Sequence, residues 1–188
     1  VVINEINYRS SDELNTEDWI EIHNNGYEAV NISFWQFRDS DDSHVFIIPE
    51  NTFLDVGNYL VLCQSIGSFS EFFPEVTNAI GDFGFGLSRY GEILRLFNSN
   101  GEIVDSLSYS NIDPWPEAPD GNGPTLELIH PDLDNSSSTS WSASIDFGTP
   151  GWENSVYAPC QSNGDANLDG LVNVSDIVAI IGHILGNT

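Results

Sequence analysis

Near the end of the chain, oxygen-bearing side chains recur at a regular spacing: Asp165, Asn167, Asp169, Asn173 and Asp176. Counted from Asp165 they stand at positions 1, 3, 5, 9 and 12 of a loop, with Gly170 at position 6 and Leu171 at position 7. A hard cation such as Ca2+ takes six to eight oxygens at about 2.3–2.6 Å, and this spacing supplies them. The polar positions give side-chain oxygens, Leu171 gives its backbone carbonyl, and Gly170 allows the sharp turn. Asp176 reaches less far than a glutamate would, so its two-oxygen closure of the site is less secure. The chemistry expected here is calcium binding; the competing reading is an Asx-rich turn capping the helix that follows.

That helix would carry Ile177, Val178, Ile180, Ile181, Ile184 and Leu185, a wide apolar stripe at helical spacing. Burying one such side chain contributes about 1.5–3 kcal/mol, so the stripe needs cover. A segment this short cannot enclose it, since chains below about 40 residues rarely build a core alone. Cover can come from the rest of the chain, from a second repeat, or from another molecule. The stretch Gly164–Leu185 resembles one repeat of a type I dockerin, including the aspartate at position 12 and the apolar helix beyond. The resemblance implies an extracellular calcium-dependent plug for a cohesin-like module. Dockerins pair two such repeats, and one lies between Gly164 and Thr188 here. The family's recognition pair falls on Val174 and Ser175, and Val174 lacks the usual hydroxyl. With Ile177, Ile180, Ile181 and Ile184 these form the expected partner-binding surface.

Composition narrows the class. The chain of 188 residues has 29 acidic residues against four arginines, a formal charge of −25. Nucleic acid is excluded as a partner, because duplex binding depends on basic residues meeting phosphates. Anionic membrane surfaces are disfavoured for the same reason, and no apolar run of eighteen residues exists to insert in a bilayer. Hydrophobic residues still make up 40% of the chain, enough for a proper core. The absence of methionine and a start on the strand-like Val1-Val2-Ile3 suggest a mature chain whose signal peptide has been removed. The expected location is secreted or cell-surface. Cys63 and Cys160 are either one disulfide, as exported proteins favour, or two buried thiols. Asn31 and Asn135 open glycosylation triplets, a weak signal because such triplets are common.

Catalytic arrangements find little support. The four histidines are scattered, and no HExxH, CxxC, GxSxG or GxxxxGK[ST] spacing is present. With so many acids, neighbouring carboxylates are unavoidable and imply no glycosidase. Asp39, Asp41 and Asp42 read as a solvated acidic loop or a second cation site. Gly81-Asp-Phe-Gly-Phe-Gly86 reads as a flexible turn. No enzyme activity is expected.

The elements that would carry these features are short strands. Val2–Tyr8, Asp18–His23 and Val30–Phe37 alternate apolar and polar residues, as half-buried strands do. Val45–Ile48 and Tyr59–Leu62 are continuous apolar runs, the mark of strands buried on both faces. Ile93–Phe97 and Ile103–Tyr109 flank Asn98-Ser-Asn-Gly101, a hairpin signal, and Leu126–Ile129 reads as the last strand. A short helix fits between Ser65 and Phe73, and residues 110 to 124 form a long Pro- and Gly-rich loop. Trp19 and Trp35 belong to the core. Trp115 and Trp141 lie in loop-like sequence, where a ring either stacks on a sugar or pins the loop down.

Several phrases, in order, resemble the lamin tail domain of bacterial secreted proteins. They are Val2-Ile-Asn-Glu-Ile6, Asp18-Trp-Ile-Glu-Ile-His-Asn24, Asn31-Ile-Ser-Phe-Trp35, Asn58-Tyr-Leu-Val-Leu62, Gly101–Tyr109 and Gly148-Thr-Pro-Gly-Trp-Glu-Asn154. The resemblance implies an immunoglobulin-like antiparallel β-sandwich without an active site, usually an accessory beside other domains. The expected organisation is an all-β sandwich over residues 1–155, a linker over 156–163, and a calcium loop-helix over 164–188. Its expected role is a structural and interaction module whose calcium-ordered tail engages copies of itself, as in a surface fibre, or a cohesin-like partner. The alternative is an accessory module that binds a surface glycan for a secreted hydrolase.

Overall fold

The computed structural model describes residues 1–158; the expected calcium set Asp165–Asp176 and the apolar stripe that follows lie outside them. A compact unit spans Val1–Tyr157. Its strands are β1 (Val2–Asn7), β2 (Trp19–His23), β3 (Val30–Asn31), β4 (Gln36–Arg38), β5 (Phe46–Ile47), β6 (Phe53–Leu54) and β7 (Tyr59–Cys63). One helix, α1 (Ile66–Phe72), precedes β8 (Ala79–Gly81), β9 (Ile93–Phe97), β10 (Ile103–Ser108), β11 (Leu126–Leu128) and β12 (Trp141–Ala143).

The strands make a six-stranded sheet in the order β12-β11-β1-β2-β7-β8 and a four-stranded sheet in the order β10-β9-β4-β5, with β3 and β6 as a separate short pair. The two main sheets enclose one core, in which Ile6, Ile20, Ile22, Leu60 and Leu62 of the first meet Phe37, Leu94, Leu96 and Leu107 of the second. This is the expected β-sandwich. The Asn98–Gly101 turn joins β9 to β10 as expected, with Gly101 N–H donating to the Asn98 carbonyl at 2.9 Å. The Ser65 hydroxyl caps α1 by accepting from Ser68 N–H at 3.3 Å.

Several expectations are corrected. The run Val30–Phe37 is not one strand: Phe34 stands at φ 63, and Trp35 N–H donates back to Ile32, so the chain turns between β3 and β4. The apolar run Val45–Ile48 is not buried on both faces. It forms β5 at the edge of the smaller sheet, where Ile47 is 54% exposed. Leu126–Leu128 is not the last strand, since β12 pairs with it through Leu128 and Trp141. One pairing is parallel, Val61 against Ala79. The glycine-rich stretch after β8 is a packed element, with Phe83 and Phe85 buried against Phe37.

The largest departure concerns the outer face of the six-stranded sheet. Strict alternation in Trp19-Ile-Glu-Ile-His23 suggests a polar face open to water, yet all five residues are buried. Two elements cover that face. Helix α1 lays Phe69 over Trp19, Val61 and Cys63. The segment 144–157 runs across β11, β1 and β2, hydrogen-bonding to their outward side chains.

Candidate functional site

The sequence-predicted positions are placed unevenly. Asp165, Asn167, Asp169, Leu171, Asn173, Asp176 and the partner set from Val174 to Ile184 all lie outside the described residues, as does Cys160. Cys63 is buried at the end of β7, and burial pushes its thiol up to about 12, far from a reactive thiolate. Asn31 is exposed, its Oδ1 accepting from Ser33 N–H at 3.0 Å. Asn135 is buried, and its Nδ2 donates to Asp105 at 2.7 Å, so in the folded chain that nitrogen has no room for a glycan.

The acidic loop is internally paired. Asp39 is buried and bonds His44 Nδ1 at 2.7 Å, while Asp42 pairs with Arg95 at 2.8 Å. Among the described residues no group of three or more His, Cys, Asp or Glu side chains could hold a metal ion. Trp115 is half-buried against the core, its ring 6.3 Å from that of Trp141. It pins the long loop instead of standing free as a sugar platform.

Two arrangements were not foreseen. The first is a row of three fully buried glutamates on the covered sheet face: Glu127 lies opposite Glu5, and Glu5 opposite Glu21. Like charges directly opposite are unfavourable in a sheet, and burial adds to the cost. Segment 144–157 supplies donors. Thr149 N–H meets Glu5 at 3.1 Å, Gly151 N–H meets Glu21 at 2.5 Å, and the Ser155 hydroxyl meets Glu127 at 2.7 Å. Thr125 and Asn4 add a hydroxyl and an amide, at 2.5 Å to Glu5 and 2.9 Å to Glu21. Glu5 Oε2 is left without a partner among the described residues. Burial, then the charges of Glu21 and Glu127, hold the Glu5 carboxyl well above the usual range. Burial likewise raises Glu21 to about 8. The covering segment needs glycine at Gly148, φ +91, where a Cβ would sit 2.2 Å from Glu5 Oε1.

The second arrangement is a groove at the end of the sandwich where β2 finishes and β7 begins. His23 and Tyr59 are paired across those strands and stack with ring centroids 4.3 Å apart. Across from them His130 stacks on Tyr157 at 5.2 Å. A depression of about 250 Å3 lies between, walled by His23, Tyr59, Tyr157, Glu153 and Asn154. It shares Tyr59 with a second hollow of about 340 Å3 that reaches Trp152, Asn78 and Glu75. It shares His23 and Tyr157 with a third of about 320 Å3 that reaches His130 and Asp132. The groove is firmly built: Asn154 Nδ2 donates to the carbonyls of Asn4 and Leu128, at 3.0 and 2.8 Å, and Asn78 Nδ2 to that of Tyr59 at 2.8 Å. Trp152, Glu153, Asn154 and Tyr157 are close in sequence, but His23, Tyr59, Asn78 and His130 come from segments far from them and from one another, which is why no sequence pattern joins the whole set. The one local signal is an aromatic residue, Trp152, directly after the turn glycine Gly151.

Neither arrangement offers a nucleophile beside a base. In the described residues the histidine ring nitrogens bond Asn58, Asp39 and Asp132, and no serine, threonine or cysteine side chain. The model of the Lamin Tail Domain family matches residues 1–111, spanning β1 to β10. No curated protein matches the chain. Strands β11 and β12 and the covering segment lie beyond that match but belong to the same compact unit, through the pairing of β11 with β1. The chain belongs to the Lamin Tail Domain family, a group of immunoglobulin-like domains that is generally non-enzymatic.

Proposed function

We propose that the protein is a non-catalytic interaction module of the bacterial cell exterior, in which the sandwich carries a calcium-ordered C-terminal docking element. The observation that carries this reading is the oxygen spacing from Asp165 to Asp176, followed at once by the apolar stripe Ile177–Leu185. Calcium orders the loop, the loop orients the helix, and the helix face seeks cover on a protein partner. The partner is either another copy of the chain, joined head to tail in a propagating fibre, or a cohesin-like module. The filled sandwich and the family assignment support a rigid, non-catalytic carrier.

Light scattering on the full chain, in millimolar calcium and after EDTA, tests the proposal together with pull-down on a cohesin module. Particle growth in calcium that EDTA reverses supports self-assembly, and calcium-dependent capture supports the cohesin-like partner. A monomer that captures nothing in calcium refutes both. The alternative role in glycan binding loses Trp115 as its platform, because that ring packs on Trp141. The groove offers a better one.

A further inference from the structure

We infer that the groove walled by Tyr59, Tyr157 and Trp152 is a binding site for neutral oligosaccharides, separate from the calcium-dependent contact proposed for the tail. A sugar ring presents a flat C–H face and a rim of hydroxyls. Its recognition therefore calls for aromatic rings beside fixed amides and carboxylates, the usual mix of a few placed polar groups in an otherwise aromatic site. The groove has this composition along its whole length. Trp152 is 65% exposed at one end, Tyr59 forms the wall between two hollows, and Tyr157 borders two. Stacking on His23 and His130 holds the two tyrosine rings in place before any ligand arrives. That preorganisation reduces the entropy lost on binding.

The polar groups are equally fixed. The amide nitrogen of Asn78 donates to the Tyr59 carbonyl, which aligns that side chain beside the rings, while Asn154, bonded to Asn4 and Leu128, braces the floor. Glu75 and Glu153 are exposed carboxylates, able to accept from paired hydroxyls. Charge decides the class of sugar. None of the four arginines lines the groove: Arg9 and Arg89 face Asp120, Arg95 pairs with Asp42, and Arg38 lies over Phe97. With Glu75, Glu153 and Asp132 on its walls, the groove repels phosphate, sulfate and uronate. A strip of rings spread over three hollows also differs from a compact cage around one cation, so an extended neutral chain fits better than a lysine side chain.

The test uses the full chain, with cellohexaose, xylohexaose, mannohexaose and chitohexaose as probes in titration calorimetry. A heparin hexasaccharide and a lysine-rich peptide are the contrasting ligands. Binding of at least one neutral probe is expected, unchanged by EDTA, and weakened about tenfold in Trp152→Ala, the effect of losing one stacked ring. Trp115→Ala is expected to leave affinity unchanged. Trp152 is exposed, so its variant folds; Tyr59→Phe, which keeps the ring, serves as a second variant retaining most of the affinity. Failure to bind any neutral probe overturns the inference. So does equal affinity in Trp152→Ala, binding of the heparin fragment or the peptide alone, or loss of binding in EDTA. Because calcium is absent from the groove's chemistry, the sugar and assembly experiments can fail independently.

Discussion

Replacing Glu21 with glutamine isolates the energetic cost of the buried acidic row. Glu21 is fully buried between β1 and β7 and rises from 4.5 to about 8, chiefly through burial. Below about pH 4.5 the carboxyl is protonated in both folded and unfolded chains and adds no pH dependence. Between 4.5 and 8 the folded chain keeps a proton that the unfolded chain has released, so stability falls as pH rises. Above 8 the loss is complete. At about 1.4 kcal/mol per unit, the whole window amounts to a loss on the order of 5 kcal/mol. That is a large share of the roughly 5–15 kcal/mol of a typical domain. Asp18, raised by burial from 3.8 to about 7, adds a loss of the same sign, and so does Glu5. His23, lowered by burial, opposes them only on the acid side of the ordinary histidine range. Urea denaturation at pH 5, 6, 7 and 8 should show unfolding free energy declining throughout. In Glu21→Gln the decline should be shallower by about 1 kcal/mol per pH unit. Asn4 and Gly151 both donate to Glu21, and glutamine can accept from only one of them through its oxygen. The comparison is therefore of slopes, not of absolute stability. A parent slope that is flat or rising, or a Glu21→Gln slope identical to it, would refute the buried, proton-holding carboxyl.

Other consequences follow from single contacts. Gly148→Ala places a methyl against Glu5 and Thr125 at a positive φ, and should lower stability by about 2–4 kcal/mol, or roughly 5–15 °C in Tm by calorimetry. Asp165→Ala should abolish calcium binding measured by titration, and calcium-dependent scattering with it, while leaving the far-UV signal of the sandwich intact. If the chain is expressed in a glycosylating host, peptide mapping should find sugar at exposed Asn31 and none at buried Asn135. Trp115→Ala should speed proteolysis within residues 110–124 by loosening the loop from Trp141.

Local pattern was a sound guide wherever a side chain's environment is set by its own strand. Alternation in Val2–Tyr8 and Asp18–His23 located β1 and β2, and the Asn-Ser-Asn-Gly turn located the β9–β10 hairpin. Pattern failed where two strands join in one run, as at Val30–Phe37, because φ at Phe34 follows from packing and not from residue type. It failed again at Val45–Ile48, since an apolar run cannot say whether its strand lies at the edge or in the centre of a sheet.

Sequence alone determined the strand-rich, acidic character of the chain and the oxygen spacing of its tail, because each depends on composition or on residues close together. Tertiary structure decided the rest. Glu5, Glu21 and Glu127 became a buried row only when segment 144–157 closed over them. Tyr59, Trp152 and Tyr157 became one groove only when the start of β7 and the end of the covering segment met at the same end of the sheet. Burial and proximity of distant residues arise from long-range packing, to which a periodicity of two or of 3.6 residues is blind.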